Sequence, residues 1–141
     1  MAQEKDFKNK IIMVVDDDES VLSFLSFSLK SEGFQVISVD TAEHAFESLK
    51  AKVPDLILLD IMLPHMDGFT MCNQLRQDSR FEKTPIIFIT AYADPTTLDK
   101  TKEVGAQGLI EKPIMFDELY LQVLDALNGK FSLPTRLKFR A

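Results

Sequence analysis

The sequence predicts an α/β protein, a doubly wound (βα)5 domain with one five-stranded parallel sheet between two layers of helices. Three observations predict it. Five short apolar runs alternate with five segments of helical period, the signature of a parallel sheet with right-handed crossovers. The runs Ile11–Val15, Leu56–Leu59 and Ile86–Ile89 show almost no polar alternation, as expected of strands covered on both faces. The length, 141 residues, suits a single core. Because the most apolar strands belong in the middle of such a sheet, those three runs become its centre, and the predicted order is 2-1-3-4-5.

Each element follows from local sequence. The first strand, Ile11–Val15, stops against Asp16, Asp17, Asp18 and Glu19, and the last two of these acids begin a helix and favour its positive end. In that helix, Ser20–Ser31, a stripe of Leu22, Leu25 and Leu29 faces inward, Phe24 falls nearly opposite with Val21 and Ser28 nearby, and Gly33 is the stop. Phe34–Val39 is the second strand, and Thr41 caps Ala42–Ala51, with Ala45, Phe46 and Leu49 inward. Leu56–Leu59 runs into Asp60; Asp67 or Gly68 then opens a helix reaching about Asp78, with Cys72 as core. Ile86–Ile89 ends at Thr90, and Asp94-Pro95 opens a helix with proline at its first position, ending at Gly105. Gly108–Ile110, the weakest strand, leads to Lys112, and Phe116–Leu127 is closed by Asn128-Gly129. Residues 1–128 are read as one domain. Residues 129–141 carry Lys130, Arg136, Lys138 and Arg140 and no acid, a basic tail or the start of a linker. Phe7, Phe131 and Phe139 receive no role.

Composition excludes several classes. A net charge of −6 and a pI near 4.9 argue against direct nucleic-acid binding, which needs a basic face. One cysteine permits no internal disulfide and suits a reducing compartment. The first ten residues are polar and mixed in charge, unlike a signal peptide. No apolar run approaches the ~18 residues of a membrane span. The expected location is cytoplasmic, with no membrane partner.

Ligands of such sheets bind beyond the carboxyl ends of the strands, where strand order reverses. Asp16, Asp17 and Asp18 follow the first strand, Asp60 the third, Thr90 the fourth and Lys112 the fifth. Two unit charges ~4 Å apart repel by roughly 4 kcal/mol near a protein surface, so crowded carboxylates call for a cation. Oxygen donors without His or Cys suit Mg²⁺ or Mn²⁺. Asp60 can then serve as a ligand or as a nucleophile that accepts a phosphoryl group. Lys112 would pair with a phosphoryl oxygen and Thr90 would donate a hydrogen bond. Singly, each of these acids is more often a cap or turn residue. Their convergence on one rim favours chemistry. His65, in the loop after Asp60, reads as a solvated loop residue rather than a ligand.

The segments "VVDDD", "DLILLDIMLPHMDG", "PIIFITAY" and "GAQGLIEKP" closely resemble the receiver domain of two-component response regulators of the chemotaxis-regulator type, over residues 9–128. The resemblance implies a flavodoxin-like fold and a phosphorelay function. Asp60 would be the phosphoacceptor, loaded by a histidine kinase or a histidine phosphotransfer protein. Asp16 and Asp17 would be the paired metal-site acids, with Asp17 the direct ligand and Met62 adding its backbone carbonyl to Mg²⁺. Thr90 would be the switch hydroxyl, Lys112 the phosphoryl-pairing lysine, Lys112-Pro113 a cis peptide, and Pro64 and Gly68 the shapers of the loop after Asp60. Leu109 stands where the family usually has an aromatic switch, and Tyr92 is the candidate to take over part of that role. Met62 and Tyr92 flank the reacting centre without a group to orient water, which implies slow self-dephosphorylation by a protein that is not a conventional enzyme. Val21 and Phe24 would dock the phosphodonor. The face of the fourth helix, fifth strand and fifth helix would meet an output domain, a protein target or a second copy.

Two other classes share part of this pattern. "VVDDDES" also fits the opening D-x-D-x-S of a Mg²⁺-dependent haloacid-dehalogenase-type phosphatase, which would attack through Asp16 and leave Asp60 unexplained. A flavodoxin-like cofactor binder would need a phosphate-cradling loop where this chain has four acids that repel an anion.

Overall fold

The computed structural model describes residues 7–130. Five strands, β1 (Ile11–Val15), β2 (Gln35–Val39), β3 (Leu56–Asp60), β4 (Ile86–Thr90) and β5 (Gly108–Glu111), alternate with α1 (Glu19–Ser31), α2 (Ala42–Ala51), α3 (Gly68–Arg76), α4 (Pro95–Glu103) and α5 (Phe116–Leu127). The strands form one parallel sheet in the order β2-β1-β3-β4-β5, as the apolar runs predict. β3 and β4 are buried along their whole length.

Alternation along the strands divides the core in two. Met13, Val15, Ile57, Leu59, Ile86 and Phe88 face α2, α3 and the start of the α4 loop, in a cluster with Ala45, Leu49, Met71, Cys72 and Leu75. Ile12, Val14, Leu56, Leu58, Ile87 and Ile89 face α1 and α5, with Leu25, Leu29, Leu119 and Val123. Cys72 is fully buried, as expected of a core residue, and burial pushes its thiol up to about 11. Phe7, unassigned from sequence, packs against the α1–α5 layer. Phe131, Phe139 and the rest of the tail from residue 131 lie outside the described residues.

Caps explain where the helices begin. Asp18 accepts from the Ser20 N–H at 2.9 Å, Thr41 from His44 at 3.0 Å and Asp67 from Thr70 at 2.8 Å. At α4, Asp94 accepts from Thr97 at 2.8 Å, and Pro95 follows.

One helical face differs from expectation. Leu25 and Leu29 are buried, while Leu22 is only partly so. Phe24 is on the exposed side, as its place away from the stripe predicts. It is 43% exposed and meets Phe116 of α5 edge-on, ring centres 6.4 Å apart, and Phe116 in turn stacks on Tyr120 at 5.6 Å. The residue pointing straight out is Phe27, 75% exposed. Phe27 lies two positions from both Leu25 and Leu29, and two residues at 3.6 per turn is a rotation of about 200°.

Candidate functional site

The reversal of strand order falls between β1 and β3, so the carboxyl ends of β1, β3, β4 and β5 share one edge. Asp60 and Thr90 are the last residues of β3 and β4, Asp16 follows β1 directly, and Lys112 follows β5. The sheet therefore brings together the four strand-end groups singled out from sequence.

Asp16 is fully buried. Its Oδ1 accepts from the Asp18 N–H at 2.9 Å, and Oδ2 lies 3.1 Å from Lys112 Nζ as an ion pair but lacks an aligned hydrogen-bond donor. Asp60 is nearly buried. Its Oδ1 accepts from the Met62 N–H at 2.9 Å, while Oδ2 lies 3.5 Å from the same Lys112 Nζ. Asp17 is exposed, yet one oxygen from each of Asp16, Asp17 and Asp60 falls within 4.8 Å of the others.

Electrostatics follow from this packing. Burial pushes the Asp16 carboxyl up to about 6; the Asp60 charge adds to the rise, and the Asp18 N–H and Lys112 oppose it. Burial acts to lower Lys112, but its contacts with Asp16 and Asp60 outweigh that and hold the ammonium above its ordinary value. Three carboxylates facing one ammonium leave the pocket electron-rich. This donor set fits a hard divalent cation: it is all oxygen, and one buried carboxylate oxygen has no hydrogen-bond donor of its own. His65 is not among these groups.

The loop after Asp60 is built around close contact. Gly68 opens α3 against the backbone of β3, donating to the Ile61 carbonyl at 2.8 Å. A Cβ at this position would lie 2.7 Å from the Asp60 carbonyl oxygen and 2.9 Å from the Ile61 Cα. The Met66 N–H donates to the Pro64 carbonyl at 2.8 Å, closing a tight turn about His65, whose φ is +69°. The Lys112-Pro113 peptide is cis, as the resemblance implies.

The Thr90 hydroxyl is turned toward its own loop. It donates to the Tyr92 carbonyl at 2.9 Å and accepts from the Tyr92 N–H at 3.3 Å. Leu109 is fully buried in the cluster that holds Phe88, Ala93 and Ala106. Tyr92 and Met62 are 57% and 70% exposed. Two residues in this region were missed from sequence. Glu111 accepts from the Ala93 N–H at 3.0 Å; a charged residue between Ile110 and Lys112 at the end of a buried strand was a signal available for it. Phe116, the ring beside Phe24, could not be paired with it by spacing alone, because they lie on different helices.

Comparison with known proteins gives a consistent result. The family model described as "Response regulator receiver domain" matches residues 12–124. The chain is 37% identical over 115 residues to the alkaline phosphatase synthesis transcriptional regulatory protein PhoP of Bacillus subtilis, covering 82% of this chain and 47% of that one. The chain spans about half or less of the curated relatives it matches. Among solved structures, the chemotaxis response regulator CheY4 of Vibrio cholerae superposes with a TM-score of 0.79 at 26% identity, over 84% of this chain and 99% of that one. The signal receiver domain of a signal transduction histidine kinase from Syntrophus aciditrophicus gives 0.78 at 30% identity, over 92% and 99%.

Proposed function

The chain belongs to the response regulator receiver domain family of two-component signalling, and on that premise we propose that Asp60 accepts a phosphoryl group from a histidine kinase or a histidine phosphotransfer protein. The haloacid-dehalogenase-type alternative has no support from the comparisons. The observation that carries the proposal is the single Lys112 ammonium within 3.1 Å of Asp16 and 3.5 Å of Asp60.

In the proposed reaction an Asp60 carboxylate oxygen attacks phosphorus. The bond from phosphorus to the donor atom breaks, and its electron pair leaves with the donor. Receiver domains bind Mg²⁺ in their acidic pocket; here Asp16, Asp17, Asp60 and the Met62 carbonyl would hold it, and when bound it neutralises phosphoryl charge. Lys112, already paired with Asp60, takes a second phosphoryl oxygen. Thr90 gives up the Tyr92 carbonyl and donates to a third. The added charge of about −1.5 to −2 acts by favouring one of two pre-existing arrangements of the β4–α4 loop and the α4–β5–α5 face, the face assigned to an output domain, a protein target or a second copy. Sedimentation of the phosphorylated protein reads whether that partner is a second copy.

The test is labelling by acetyl phosphate with Mg²⁺, followed by intact mass. The parent gains one phosphoryl group, and Asp60→Asn or removal of metal by chelator prevents it. A labelled Asp60→Asn protein would overturn the assignment. The same sample gives the lifetime: with Met62 and Tyr92 flanking Asp60 the label persists for minutes or longer, and loss within seconds contradicts that part of the reading.

Docking of the phosphodonor is assigned to Val21 and Phe24. Phe24 with Phe116 and Tyr120 makes a continuous aromatic edge across α1 and α5. Phe24→Asp slows transfer from the protein donor and leaves labelling by acetyl phosphate unchanged; equal slowing of both would remove Phe24 from the docking surface.

A further inference from the structure

Glu111 stands opposite Thr90 in the register of β4 and β5. Side chains alternate along a strand, so Glu111 shares a face with Leu109, which packs in the cluster containing Ala93. From there its carboxylate accepts from the Ala93 N–H at 3.0 Å. The Thr90 hydroxyl donates to the Tyr92 carbonyl at 2.9 Å. Tyr92 C=O and Ala93 N–H belong to one trans peptide group, so they point in opposite directions from a rigid plane. That plane is held at both ends, its oxygen by β4 and its hydrogen by β5.

We propose that Glu111 is a positioning residue of the switch: by holding the Ala93 N–H it keeps the Tyr92 carbonyl turned onto Thr90, and so keeps the hydroxyl away from Asp60 until a phosphoryl group arrives. This rests on the phosphoacceptor reading of Asp60. The Glu111 contact holds the carbonyl as a standing acceptor, so the Thr90 hydroxyl must leave a fixed partner to turn toward Asp60, which ties the state of Thr90 to β5. Leu109, the other side chain on that face, has no polar atom with which to do this.

The test compares acetyl phosphate labelling rates, with amide exchange at Ala93 read in parallel. Glu111→Ala removes the acceptor; Ala93 loses protection and labelling accelerates roughly three- to tenfold, the scale of one hydrogen bond to a charged group partly replaced by water. Glu111→Gln keeps an acceptor oxygen and restores both readouts to within about twofold of the parent. In a Thr90→Val background there is no hydroxyl to hold back, so Glu111→Ala no longer accelerates labelling. Unchanged or slower labelling of Glu111→Ala, or the same acceleration without the Thr90 hydroxyl, overturns the inference. A parent protein that takes no label at all is instead the failure of the Asp60 reading.

Discussion

Gly68 and Asp16 show how single residues set the terms of the site. At Gly68 the obstacle to a side chain is backbone on both sides, the Asp60 carbonyl and the Ile61 Cα, and backbone cannot swing away as a flexible side chain would. Gly68→Ala is therefore expected to cost about 1–3 kcal/mol through forced displacement and to shift the loop that carries Met62. Urea unfolding with labelling kinetics on the same variant checks both; a full-stability variant would mean that α3 can back away from β3.

For Asp16 the sign of the pH effect is unusual for a carboxylate. Its folded value of about 6 lies above the ordinary 3.8, so the native state holds a proton that the unfolded chain has released. Without metal, stability therefore falls as pH rises from about 4 to about 6 and stays at the lower level above that. Asp18, Asp40, Asp78 and Asp94 are shifted below their ordinary values; the stability they contribute is lost progressively as pH falls below about 5, so the upper part of the window, from about 5 to about 6, is the part they leave nearly undisturbed. Denaturation midpoints in chelator across the window measure the drop. Asp60→Asn, by removing the neighbouring charge, should make it smaller.

At the scale of elements, Arg76 does more than end α3. Its guanidinium donates to the carbonyls of Phe81 and Thr84, both at 2.7 Å, and to the Gly105 carbonyl and Gln107 Oε1, both at 3.0 Å. Gln107 Oε1 also accepts from the Ile86 N–H at 2.8 Å, so one planar fork joins the end of α3, the start of β4 and the turn before β5. A lysine has the charge without the fork. Arg76→Lys is expected to cost about 1–3 kcal/mol, since acceptors would be left unpaired, and urea midpoints of Arg76→Lys and Arg76→Met should fall close together. A lysine variant as stable as the parent would show that charge alone suffices. This clamp lies at the amino end of the sheet, away from the carboxylates, so metal affinity should be little affected.

Across the whole molecule, strands covered on both faces made the sheet readable from sequence: Leu56–Leu59 and Ile86–Ile89 admit no polar residue until Asp60 and Thr90. The strand ends were readable for the same reason, since a charged or hydroxyl residue closing an apolar run marks the edge of the sheet. Sequence was less informative wherever a contact depends on a neighbouring element. The leucine stripe located the inward face of α1 but not the α5 ring beside it, so the contact between Phe24 and Phe116 is not legible in it, and Phe27, more exposed than Phe24, carries no signal of its own. Glu111 escaped notice because its partner is a loop N–H, whose position depends on the path of residues 91–94 and not on any side-chain pattern.

Each working group arrives on a different strand, and Lys112 comes after the last of them. A ribosome that has delivered the acids and Thr90 has still not supplied the cation that lies between Asp16 and Asp60. The pocket is thus incomplete until β5 docks on the sheet, and the three carboxylates gain their ammonium in one step rather than by degrees.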